Sequence, residues 1–228
     1  MPASTTPTDV SVTPRIPQFD FQRPPKTWLK DDVASHFFNA LSLYVPASEK
    51  LVIQILRELL SETEGPLHEQ IKAVIQQEGQ HARLHRQTNQ WLLKGYPNLR
   101  WAVRVQEQGY RVIAWLLPKA SIPAAFEHFT SALAKYYLKD TEAWTGKQHN
   151  ELTRFLDWHV LEELEHQSVC LDAYRVKYPQ SRWLLPLSLS HYSGRLLRFS
   201  PFMVHRDICS IGTGCLNSQI FAASIGEC

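Results

Sequence analysis

The strongest constraint in this chain is a spacing that occurs twice, at Glu78-Gly79-Gln80-His81 and again at Glu163-Leu164-Glu165-His166. Both copies lie in stretches of helical periodicity, QIKAVIQQEGQHARLH and FLDWHVLEELEHQ. On a helix, positions i and i+3 project from the same face about one turn apart. A carboxylate and an imidazole held that way can bind one metal ion together, or the carboxylate can bridge two. One such motif is commonly a solvated or salt-bridged pair. Two of them raise the question of what faces them.

Punctuation along the chain predicts the answer. Asp31 or Asp32 caps a helix through HFFNALSLY, which Pro46 is expected to end. A second helix starts at Ser48, with Glu49 in its first turn, and stops at Gly65-Pro66. The first Glu-x-x-His sits on a helix spanning 67–94, closed by Gly95-Tyr96-Pro97. A less regular helix covers 99–117. Another runs from Pro123 to about residue 144, carrying Glu127, and Gly146 breaks it. Asn150 or Gln148 opens the helix of the second motif, to about residue 177. No sustained alternation or hairpin dipeptide signals a strand, so the chain reads as all-α. After Pro179 the pattern loosens. One more helix over 182–197 is expected, and no structure is assigned from residue 200 onward. The domain reading is therefore a flexible or extended arm over 1–26, a helical metal-binding domain over 27–199, and an irregular tail over 200–228.

Register joins the motifs. Glu49 lies 15 positions before a turn near residue 64 and Glu78 lies 14 after it, a mismatch of about 1.5 Å along the axis. Around Gly146, Glu127 lies 19 before and Glu163 lies 17 after, a mismatch of about 3 Å. Each hairpin thus sets a lone Glu level with a Glu-x-x-His. Two hairpins packed together bring Glu49, Glu78, His81, Glu127, Glu163 and His166 to one centre. That is the inward-facing set of a ferritin-like four-helix bundle, here with additional helices. Four carboxylates buried without metal would repel one another strongly, so two metal ions per chain are expected, iron first, with Mn or Zn as alternatives. His85 (i+4 from His81) and His159 (i−4 from Glu163) share these faces, as extra ligands or as groups orienting one. Glu162 and Glu165 point elsewhere and read as salt-bridged or solvated.

Composition excludes other classes. With 24 Lys and Arg against 22 Asp and Glu, no overall field favours nucleic acid or an anionic membrane. No apolar run reaches bilayer length, and the first residues carry no signal-peptide core. Four cysteines without a C-x-x-C pair predict reduced thiols and a cytoplasmic setting. The remaining partner expectations are a small, apolar substrate and a homodimer.

The wording of HFFNALSLYVPASE, QQEGQHARLH, AAFEHFTSALA and WHVLEELEHQSVCLDAY resembles a bacterial family of predicted metal-dependent hydrolases, over about residues 10–195. The resemblance implies a helical, ferritin-like metal protein with the same six ligand candidates. It ends near Phe199, beyond which the wording departs from the family. Ligand chemistry favours a di-iron oxidase or oxygenase acting on an apolar substrate with dioxygen. The family name favours a hydrolase using a metal-activated water. A non-catalytic iron-binding protein is the third reading.

Overall fold

The computed structural model describes residues 12–21 and 26–179, and the predicted helix over 182–197 and the tail lie outside them. The described residues form no strand. They form six helices: α1 Asp32–Leu60, α2 Gly65–Gly95, α3 Leu99–Leu116, α4 Ser121–Lys139, α5 Thr141–Thr145 and α6 Glu151–Lys177.

The expected break at Pro46 does not occur, and α1 runs unbroken through it. Proline has no N–H, so the carbonyl one turn earlier, Ser42, loses its helical donor. The side chain of Asn89, on α2, supplies the replacement: its Nδ2 donates to the Ser42 carbonyl at 2.6 Å. A neighbouring helix thereby satisfies the group that would otherwise have stopped this one. The opposite correction applies after Pro123. There the expected single helix begins at Ser121 and divides at Asp140, whose carboxylate accepts from the Ala143 N–H and starts the short α5. Gly146 then ends α5 at φ +58, where a Cβ would stand 2.8 Å from Lys30 Cβ. Only glycine suits both the left-handed backbone and that approach. Asn150 caps α6 through a reciprocal capping box with Thr153.

Helix α1 packs along α2, and α4 along α6. Contacts of α2 with α6 and of α1 with α4 join the two pairs, so four long helices enclose one interior. Toward one end, Trp28, Leu29, Phe38, Ala134, Tyr137, Leu156 and Val160 close it with apolar side chains. Between α1 and α2, Val52, Ile55, Leu56 and Leu59 are buried, as are Ile71 and Val74. Helix α3 packs mainly on α1.

Part of the N-terminal arm expected to be flexible or extended is described, over residues 12–21. Residues 12–21 are extended and held against α6. Phe19 and Phe21 meet the Phe155 ring with centroids 5.6 and 5.5 Å away. Thr13 and Arg15 bond to α6 carboxylates. Apolar and charged side chains at this spacing give the segment enough contact to offset its ordering entropy.

Candidate metal centre

Each of the four long helices contributes to the interior. α1 supplies Glu49, α2 supplies Glu78 and His81, α4 supplies Glu127, and α6 supplies Glu163 and His166. Together with His85 and His159, none is more than 8% exposed. This removes the alternative of solvated surface pairs. Acidic side chains are almost never buried to this degree unless paired or holding a metal.

Their donor atoms converge in two groups that share His81 and Glu163. Glu49, His81, His159 and Glu163 form one; Glu78, His81, Glu163 and His166 form the other. Within each group, one ligand atom per residue lies within 4.8 Å of all the others. His81 Nδ1 is 3.4 Å from Glu163 Oε1 and 3.8 Å from Glu49 Oε1. His166 Nδ1 is 2.8 Å from Glu78 Oε1 and 3.3 Å from Glu127 Oε2. Glu127 belongs to neither four-residue group, but it adjoins the second through His166.

Proximity is not hydrogen bonding here. Nine buried side-chain polar atoms among the described residues lack a hydrogen-bond partner, and eight of them belong to Glu49, Glu78, His81, Glu127, Glu163 and His166. The ninth is Trp158 Nε1, whose ring meets His81 edge-on at 4.9 Å. Orphaned buried acceptors are costly. Imidazole nitrogens and carboxylate oxygens converging this closely, most of them without a hydrogen-bond partner, are what a cation site requires. The set fits hard or borderline divalent ions such as iron, manganese or zinc.

Electrostatics carries the same signature. Burial first, then neighbouring carboxylates, pushes Glu49 and Glu127 well above the usual carboxylate range. Burial also raises Glu78, against the pull of His166. Burial disfavours charge on His166 too, but Glu127 and Glu78 outweigh it and hold that imidazole well above its ordinary value. Glu163 moves the other way. Burial would raise it, yet the His159 hydrogen bond and the nearby His159 and His166 bring it down to about 2. Burial and the surrounding histidines push His81 well below its usual value, leaving its Nδ1 free to ligate.

Behind the two motif histidines lies a circuit that helical spacing does not reveal. His81 Nε2 donates to Glu162 Oε2 at 3.1 Å. His166 Nε2 donates to Gln77 Oε1 at 2.8 Å. Gln77 Nε2 donates in turn to Glu165 Oε2 and to the Thr13 carbonyl, both at 3.1 Å. Arg15 closes the loop with bonds to Glu162 (3.0 Å) and Glu165 (2.8 Å). Glu162 and Glu165 are thus salt-bridged as expected, but Glu162 is fully buried and fixes the His81 tautomer. Gln77, Arg15 and Thr13 were not singled out by the sequence. Gln77 is adjacent to a motif glutamate, and nothing in the local pattern marks the other two.

His85 lies outside both four-residue groups and takes the second of its two expected roles, a group that orients a neighbour. Its Nε2 is 2.9 Å from His159 Nδ1, and its Nδ1 is 2.8 Å from Ser42 Oγ. The Pro46 repair sets the direction of this chain. Asn89 points its Nδ2 at the Ser42 carbonyl, so its Oδ1 accepts the Ser42 hydroxyl proton at 2.7 Å. Ser42 Oγ must then accept from His85 Nδ1–H, and His85 Nε2 from His159 Nδ1–H. His159 Nε2 is left facing Glu163 Oε1 at 2.8 Å, available to a proton or a metal.

Geometry and donor set together define a helical bundle protein with a buried glutamate–histidine centre that could hold two metal ions. The chain belongs to the family described as predicted metal-dependent hydrolase, whose model matches residues 13–205. No curated protein and no solved structure matches the chain.

Proposed function

We propose that this chain is a di-metal enzyme of the ferritin-like type, with iron as its metal, that oxidises a small or apolar substrate with dioxygen. The observation that carries the metal reading is the eight partnerless buried atoms on Glu49, Glu78, His81, Glu127, Glu163 and His166. Glu163 and His81, which belong to both donor groups, would help to hold the ions. Glu49 would complete one side, and Glu78, Glu127 and His166 the other. A lone Glu on each of two helices with Glu-x-x-His on the other two is the ligand order of ferritin-like di-iron carboxylate proteins. Bound iron would supply Lewis acidity and the electrons to reduce dioxygen. The chain's own groups would hold the ligands in place and keep bulk water out. The His159–His85–Ser42 line would offer a proton path at His159 Nε2.

Hydrolysis is the second reading, favoured by the family's description. In that case bound metal would supply Lewis acidity, and Glu163 or His159 would take a proton from water.

The test begins with anaerobic titration of metal-free protein with Fe(II), in parallel with Zn(II) and Mn(II). Two equivalents of Fe(II) per chain are expected, with a near-ultraviolet and visible absorption that develops on admission of air. Absence of titratable sites for all three metals would refute the centre. Tight Zn(II) binding with esterase activity and no reaction of the Fe(II) form with air would replace oxidation with hydrolysis.

A further inference from the structure

Helix α3 carries a surface that the metal centre does not use. Its inner edge is docked: Gln106 donates to the Tyr44 carbonyl at 2.9 Å and to Tyr110 Oη at 3.0 Å, and Tyr110 is buried against Phe126. Its outer edge is apolar and bare. Trp101 is 69% exposed, Val105 49%, Val112 52%, Trp115 82% and Leu116 59%. At about 100° per residue these five side chains fall in one stripe about 100° wide, which the exposed Gln108 shares, bonded to Arg111 at its edge. Scattered exposed apolar residues need no explanation, but a contiguous stripe with two tryptophans does.

Charge says what the stripe meets. Arg104, Arg111 and Arg100 follow one another along a single edge of it, about 60–100° round the helix from Trp101. The opposite edge carries Gly109 and Ala102, and the one acid of α3, Glu107, lies beyond the arginines. Lys94 from the end of α2 joins Arg100 and Arg104 in lining the cleft between the two helices, with Glu107 the acid there. A second copy of α3 would offer this edge one acid, Glu107, against three arginines. Nucleic acid would supply phosphates but nothing to cover Val105, Val112 and Leu116. An anionic bilayer supplies both, with acyl chains for the stripe and phosphates for the arginines.

We propose that α3 lies in the interface of an anionic membrane, with Trp101, Val105, Val112, Trp115 and Leu116 inserted and Arg100, Arg104 and Arg111 on headgroup phosphates. No described helix is long and apolar enough to cross a bilayer, so the contact is peripheral. The near-neutral balance of the whole chain conceals this local surface. The proposal does not rest on the reading of the metal centre.

The experiment is flotation of the full-length protein with vesicles of phosphatidylcholine alone and of phosphatidylcholine mixed with phosphatidylglycerol. Flotation is expected with the mixed vesicles only, and it should weaken as salt is raised. Replacing all three arginines with Gln should lower apparent affinity on the order of a hundredfold. The double change Trp101→Ser, Trp115→Ser should abolish flotation. Both variants should keep wild-type melting and wild-type Fe(II) stoichiometry, because the altered side chains are exposed. Three results would each overturn the proposal: no flotation of wild type, flotation that survives loss of both tryptophans, or a dimer in sedimentation velocity that the tryptophan variant dissociates.

Discussion

Glu163 and Glu162 are adjacent residues with separate tasks, one facing the centre and the other holding a histidine that does. Helical geometry alone assigns Glu162 to a different face, from which its replacement should leave metal binding untouched. The bond from His81 Nε2 to Glu162 changes that expectation. Glu162→Ala should weaken Fe(II) binding about 10- to 100-fold, the usual cost of losing a group that orients a histidine ligand. Glu163→Ala should remove one equivalent altogether. Calorimetric titration of both variants decides the matter; equal, wild-type isotherms would mean the two roles are misassigned. The protonation pattern makes a second prediction at this scale. Glu49 and Glu127 titrate well above the unfolded value of 4.5 in the metal-free fold. The native state then binds more protons than the unfolded state above that pH. Their contribution to metal-free stability falls as pH rises from 4.5 through the raised folded values. His166, raised above 6.5, adds stability that is present below 6.5 and is likewise lost on going alkaline. Glu163, lowered to about 2, contributes in the opposite sense only between 4.5 and about 2. His81 and His85, pushed well below 6.5 by burial, act in the opposite sense, but only below that value. Melting of metal-free protein should therefore shift downward as pH rises above 6.5, and bound metal should flatten the dependence. A metal-free midpoint that rises over this window would contradict the assignment.

At the scale of elements, the continuity of α1 depends on a residue of α2. Asn89→Ala should cost about 1 kcal/mol by leaving the partly buried Ser42 carbonyl without its donor. Adding Pro46→Ala restores a backbone N–H, so the double variant should recover part of the loss in chemical denaturation. If the two changes are simply additive, the repair described here is not what stabilises the helix. Most of the elements were legible beforehand. Gly65-Pro66, Gly95, Gly146 and Asn150 act locally, so a local reading finds them. Pro46 misled because its consequence is decided 43 residues away, at Asn89. Glu49, Glu78, His81, Glu127, Glu163 and His166 were legible because helical spacing and hairpin register are also short-range rules. Gln77, Arg15 and Thr13 were not, since their partners are set by packing between segments far apart in sequence.

At the scale of the whole molecule, the segment over 12–21 ties the N-terminal end of the chain to the last described helix. Removing residues 1–21 deletes Arg15 and the Thr13 carbonyl and exposes Phe155 and Trp158. The truncated protein should melt at lower temperature and bind Fe(II) more weakly, while keeping its helical circular dichroism. Unchanged metal affinity would show that the circuit behind the histidines closes without the arm. The tie also imposes an order of events. Arg15 is made well before its partner Glu162, which follows 147 positions later. The arm has nothing to dock on until α6 has been made and packed, and closing so long a loop is slow. A nascent chain can fold its α1–α2 hairpin early, but His81 and His166 gain their final backing only when the segment over 12–21 meets α6. Tight metal capture is thereby postponed until the bundle is whole.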